Sequence, residues 1–178
     1  ENDSKETIEK NLRKLANKTN LIIVTGEDMN VALNKISKDF SDKIFAIIDG
    51  KSDNENVKSV KFKEQEGAFL VGVLAGRLTK SNKVGFIGGD MDDVLERFYT
   101  GYAAGVNNVN KIASESLLNG ETARYTMDFK DKDKAYTIAK ELYEDGCDII
   151  FQAVGEAGEG VFKAAMEENK YVIGVDQD

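Results

Sequence analysis

The run EQEGAFLVGVLAGRLTKSNKVGFIGG, Glu64 to Gly89, decides the fold. Its first part, Glu64–Leu78, is apolar on most sides and carries Gly67, Gly72 and Gly76. That pattern predicts a buried helix pressed closely against other backbone. VGFIGG then reads as a buried strand ending in a glycine turn. A buried helix leading into a fresh apolar strand is the grammar of a parallel sheet, whose strands are joined by helical crossovers. The polar stretch Thr79–Lys83 between the two is the natural place for a lobe boundary.

Upstream, Ile8, Leu12, Leu15 and Ala16 fall at helical spacing, LIIVTG (21–26) reads as a strand, and Val31, Leu33 and Ile36 mark a second helix. IFAIIDG (44–50) and the alternating VKSVKF (57–62) supply two more strands. Downstream the alternation continues through a helix over 94–108, a strand around Ser114–Leu118 and a helix over 132–143. The strand DIIFQAVG (148–155), a helix over 161–166 and the strand YVIGVD (171–176) follow. The fold class is α/β: two parallel-sheet lobes, residues 1–80 and 81–178, with three and four strands and incomplete at both ends. Right-handed crossovers put the carboxyl ends of such strands on one edge, where ligands bind.

Composition narrows the function. The chain has 178 residues, 41% hydrophobic and 31% charged, an ordinary globular balance. No apolar run approaches the roughly 18 residues that cross a bilayer. A net charge of −8, with basic residues interspersed among acids, offers no stripe for a phosphate backbone, so nucleic acid is not an expected partner. Histidine is absent, which removes the commonest general base and metal ligand. The single cysteine, Cys147, reads as a small buried residue. No catalytic residue, metal site or cofactor is assigned, and no leader or lipid-attachment cysteine lies within the chain.

GEAGEG (155–160) follows a strand and opens a helix, where a phosphate cradle would sit. Glu156 and Glu159 would repel a phosphate, so a neutral ligand against the Gly155 backbone or a structural turn is expected instead. IGGDMDD (87–93) fails as a phosphate loop for the same reason, and Asp90 is read as the cap of the next helix. DFKDKDK (128–134) lacks the glycine and closing glutamate of a calcium loop. Phe129, flanked by charges before a helix, is either a staple on that helix or a ligand-stacking ring. Asp49, Asp176 and Asp178 end strands at the ligand edge, where carboxylates suit the hydroxyls of a polyol or cap turns.

Four segments together carry a resemblance: TGEDM (25–29), FKEQEGAFLVGVLAGRL (62–78), ERFYTGYAAGV (96–106), and AVGEAGEG (153–160) with IGVDQD (173–178). The chain resembles the basic membrane protein family, bacterial lipoproteins that bind purine nucleosides for ABC transporters. The resemblance implies a type I periplasmic-binding fold whose two lobes close on a ligand, with an ABC permease as partner. It also implies an extracytoplasmic location through a lipid anchor absent from this chain. Phe129 would stack on the base and Gly155 lie against the ligand. Asp178 or Asp176 would hold the ribose hydroxyls, Gly26, Glu27 and Asp49 would contribute from the first lobe, and Arg97 or Phe98 would reach from their helix. Met127-Asp128 stands where the family more often has Gly-Ser. Other readings are riboflavin or a sugar on the same fold, a Rossmann-like enzyme using a nucleotide cofactor, and a surface adhesin.

Overall fold

The computed structural model of the chain describes residues 5–26 and 29–176. It contains two compact units, Glu1–Phe62 and Lys63–Asp178. The first holds α1 (Lys5–Ala16), β1 (Leu21–Thr25), α2 (Asn30–Asp39), β2 (Ile44–Ile48) and β3 (Val57–Val60). Its strands are parallel in the order β1-β2-β3, with Leu21 opposite Ile44 and Phe45 opposite Val57. Leu12 and Ala16 of α1, with Leu33 and Ile36 of α2, bury Ile22, Val24, Phe45 and Ile47 on one face. The alternate residues Leu21, Ile23, Ile44 and Val60 remain exposed on the other face. Asn56 ties the loop before β3 to the end of α2 by donating to the carbonyls of Ser37, Phe40 and Lys43 at 2.9–3.1 Å.

The second unit runs through α3 (Glu64–Leu78), β4 (Val84–Gly88), α4 (Asp93–Val109), α5 (Lys111–Leu118) and β5 (Ala123–Tyr125). It continues with α6 (Lys132–Glu144), β6 (Ile149–Ala153), a 3-10 turn at Gly155–Ala157, α7 (Gly158–Glu168) and β7 (Tyr171–Ile173). Its strand order is β5-β4-β6-β7, all parallel. Every residue of β4 and β6 is buried, as expected for a parallel sheet covered on both faces. Val84, Phe86, Ile149 and Phe151 meet α3, α4 and α5 on one side, while Ile87, Ile150 and Val154 meet α6 and α7 on the other. Phe86 is the hub of the first layer, with ring centroids of Tyr99, Tyr125 and Phe151 at 5.5, 6.2 and 5.8 Å. Aromatic pairs of this geometry contribute about 0.5–1.5 kcal/mol each beyond burial.

The α/β class and the two separate parallel sheets agree with the sequence reading, and three particulars do not. Residues 111–118 form a helix, not a strand: Asn110 caps it by accepting from the Ala113 amide at 3.0 Å. The fourth strand is the three-residue β5 instead. The cap of α4 is Asp92, whose Oδ1 accepts from Val94 and Leu95 at 2.8 Å, whereas Asp90 turns to the Met91 amide. The compact units divide at Phe62–Lys63, so α3 belongs with the residues after it, and Thr79–Lys83 is a loop inside the second unit. Asp148 fastens that loop, accepting from Thr79 Oγ1 and the Lys80 amide at 2.6 Å and the Ser81 amide at 3.0 Å. Burial pushes the Asp148 carboxyl up, but these hydrogen bonds outweigh it and hold its pKa below the usual value. The fastening is therefore present above about pH 4, the unfolded-state value, and is lost as pH falls through the lower folded value.

What keeps α3 in the second unit is its contact with α4. A Cβ on Gly72 would lie 2.3 Å from the Tyr102 carbonyl oxygen, and one on Gly105 would lie 2.1 Å from that of Phe69. Real carbon–oxygen contacts do not come so close, so the two helices approach only because these positions lack side chains. Gly105→Ala should therefore force the helices apart and cost about 1–3 kcal/mol or more, read as a lower melting temperature. Gly67→Ala, on an open face of α3 with nothing near its Cβ, should instead gain about 0.5–1 kcal/mol. Equal effects of the two substitutions would show that helix propensity, not the close approach, governs this contact.

Candidate functional site

In the second unit the loops after β4, β5 and β6 are stitched together at the carboxyl edge by backbone bonds. The Gly89 amide donates to the Ala153 carbonyl at 3.0 Å, Thr126 to Gly88 at 2.9 Å, and Ala157 to Phe129 at 2.9 Å. The buried Thr126 hydroxyl donates to the Asp128 carbonyl at 2.6 Å, and Asp128 Oδ1 accepts from the Lys130 amide at 2.7 Å. Met127 takes up the sharp bend with φ 56°. Together these contacts project Phe129 over the strand ends.

The Phe129 ring is 41% exposed and lies directly on the backbone of Gly89. A Cβ at Gly89 would fall 2.1 Å from the ring carbon Cε1. Gly155, at φ 56°, sits on the other side of the loop, its missing Cβ 3.5 Å from the Phe129 carbonyl oxygen. The ring thus has a fixed seat and an open surface, a suitable platform for a flat apolar ligand group. A cavity of about 470 Å³ adjoins Gly155, walled by Gln152, Glu156, Phe162, Val175 and Asp176. Lys132 at its rim is held by Glu159 at 2.6 Å. This volume suits a small polar molecule.

The sequence-nominated residues distribute as follows. Phe129, Gly155 and Asp176 converge on this edge, Asp176 exposed with φ 70° after β7. Arg97 and Phe98 lie in α4, which starts at the same edge. Arg97 Nε pairs with Glu64 at 2.8 Å, and the half-buried Phe98 packs edge-on to Phe151 with centroids 6.1 Å apart. Gly26 and Asp49 occupy the carboxyl edge of the first sheet. Gly26, at φ 97°, donates to the Ile48 carbonyl at 2.9 Å, and Asp49, at φ 59°, donates to that of Val60 at 2.9 Å. Glu27 and Asp178 lie outside the described residues. Sequence reasoning did not nominate Gly89 or Gln152. The signal for Gln152 was available, since it is the one amide in a strand buried on both faces.

A larger groove, about 590 Å³, runs between α3 and α4 past Phe69, Leu70, Gly101 and Ala104. It lies in the helix layer, away from the strand ends, and brings few polar groups together. The strand-end site is therefore the better candidate. Among the described residues no group of three or more His, Cys, Asp or Glu is placed to hold a metal. Cys147 is fully buried at the opposite end of β6, where burial pushes its pKa up to about 12. A thiol so protonated is a poor nucleophile.

The family model of PnrA-like ABC transporter substrate-binding proteins matches residues 1–178. The chain belongs to this family. It is 41% identical over 166 residues to the CD4+ T-cell-stimulating antigen of Listeria monocytogenes, covering 89% of this chain and 45% of that protein. It is 36% identical over 167 residues to the ABC transporter nucleoside-binding protein BmpA of Lactococcus lactis, covering 89% and 46%. A solved ABC transporter solute-binding protein from Aeropyrum pernix superimposes with a TM-score of 0.77 at 26% identity, covering 94% of this chain and 48% of the other. The fold is thus that of the type I periplasmic-binding proteins, and the chain spans about half the length of the curated relatives it matches.

Within this PnrA-like chain, Met127 occupies a left-handed conformation that glycine adopts without strain and β-branched residues resist. Its side chain is 57% exposed, so little packing is at stake. Met127→Gly should raise stability by up to about 1 kcal/mol, and Met127→Val should lower it by about 1–3 kcal/mol, both by thermal melting. A destabilised glycine variant would mean that the methionine side chain, not the bend, holds the loop.

Proposed function

We propose that this chain is the ligand-binding part of an extracytoplasmic receptor that captures a purine nucleoside and delivers it to an ABC permease. The single observation that carries the reading is Phe129, an exposed ring seated on Gly89 at the carboxyl ends of β4, β5 and β6. A purine would stack on the open ring surface, Gly155 would offer backbone contact, and Asp176 or Asp178 would accept from the ribose hydroxyls. Arg97 and Phe98 would shape the same edge from α4. For Gly26, Glu27 and Asp49 the proposal rests on family resemblance alone. That the Lactococcus relative is named a nucleoside-binding protein supports the substrate class.

Binding without chemistry fits a site of carboxylates, glycines and an aromatic ring, with its one described thiol buried elsewhere. Attachment to the membrane would be through a lipid anchor, as the family resemblance implies; no helix among the described residues is long and apolar enough to cross one. The acids Glu156 and Asp176 disfavour a phosphorylated ligand on electrostatic grounds.

Dialysed protein titrated with adenosine, guanosine, riboflavin and ribose tests the reading, with the purine nucleosides expected to bind and the pentose alone not. Base–aromatic stacking is worth about 1–3 kcal/mol, so Phe129→Ala should weaken nucleoside binding about ten- to a hundredfold. Its ligand-free melting temperature should change little. Normal binding with a much lower melting temperature would make Phe129 a core residue and refute the site.

A further inference from the structure

Gln152 is 1% exposed, yet it forms part of the cavity wall beside Gly155. Its Oε1 accepts from the Val154 amide at 3.1 Å, which fixes the side-chain orientation and turns Nε2 the other way. Among the described residues no acceptor pairs with that Nε2. Nε2 is not sealed from the cavity, and an amide whose two N–H donors lack a protein partner is ordinarily satisfied by water or by a ligand. Glycine on two sides makes room for the amide. A Cβ on Gly158 would lie 2.6 Å from Nε2, and one on Gly174 would lie 3.3 Å away. Of the other polar side chains of the cavity, Lys132 is paired with Glu159 at the rim and Glu156 and Asp176 are acceptors, so Gln152 supplies a neutral donor where acids otherwise dominate.

We propose that Gln152 is a recognition residue of this site, donating through Nε2 to a hydrogen-bond acceptor of an uncharged polar ligand whose hydroxyls are taken by Glu156 and Asp176. The proposal rests on the receptor reading above and adds to it a residue and a polarity. Oxygen or ring nitrogen on the ligand faces Gln152, and hydroxyl hydrogens face the carboxylates. A site built to pair a buried donor discriminates against analogues lacking the acceptor, because the amide is then left unsatisfied.

The test is isothermal titration of the intact protein and two variants with adenosine, guanosine, riboflavin and ribose, alongside melting without ligand. Gln152→Glu retains the acceptor for Val154 and exchanges only the donor, so it should weaken binding more than about tenfold. Gln152→Met keeps the length without donors and should weaken it about three- to tenfold. If Gln152→Glu does not fold, Gln152→Met carries the comparison. Folded variants that bind as tightly as the wild type overturn the proposal. Wild-type binding of ribose or riboflavin but no nucleoside would sink the nucleoside reading, and Gln152 would be judged by the same comparison with that ligand. Binding of nothing in the panel would overturn both.

Discussion

Parallel pairing of β4 with both β5 and β6 is the constraint from which the rest of the second unit follows. Parallel neighbours cannot be joined by tight turns, so each strand must return through a helix, and the helices must cover both faces. All four carboxyl ends then share one edge, and the loops leaving them must bond to one another. Gly89 to Ala153, Thr126 to Gly88 and Ala157 to Phe129 are those bonds. They are backbone contacts, so they set a platform largely independent of side-chain identity. On that platform the side chains of the proposed site are set.

The division of labour is visible in the side chains. Phe86, Tyr102 and Phe151 fill the layer under α3 and α4 and have no access to the edge. Phe129, one loop away, is held by its backbone and leaves its ring uncovered. Gln152 is intermediate: buried like a core residue, polar like a site residue. Carboxylates and an amide converging beside an open aromatic ring can hold a neutral ligand by hydrogen bonds and stacking without a charge to neutralise.

Much of this was legible in the sequence because it is local. LIIVT, IFAII, VGFIG and IIFQA are apolar runs of strand length. β5 was not legible: Ala-Arg-Tyr has no alternation, all three residues are half-buried, and pairing with Phe86 to Gly88 makes it a strand. Residues 111–118 were misread although Asn110 offered a helix cap, because the alternation of strand and helix left a strand to be found there. The position of α3 depended on tertiary contact, since Gly72 and Gly105 reveal their purpose only when two helices are laid together. Phe129 could be nominated from its charged neighbours, but its seat on Gly89 joins loops 40 residues apart in the sequence. Gln152 stands out in the sequence only as the polar exception in an apolar run, a cue that hydrophobic periodicity does not weigh.

The measurement that tests the account most directly is amide hydrogen exchange of the protein with and without a saturating purine nucleoside. If the ligand rests on the carboxyl edge, peptides spanning 88–92, 126–131 and 154–157 should gain protection together. Those at the opposite ends of the same strands, 81–83, 119–122 and 145–148, should not change. Protection confined to the second set, or to the groove between α3 and α4, would place the ligand elsewhere and contradict the site built on Phe129.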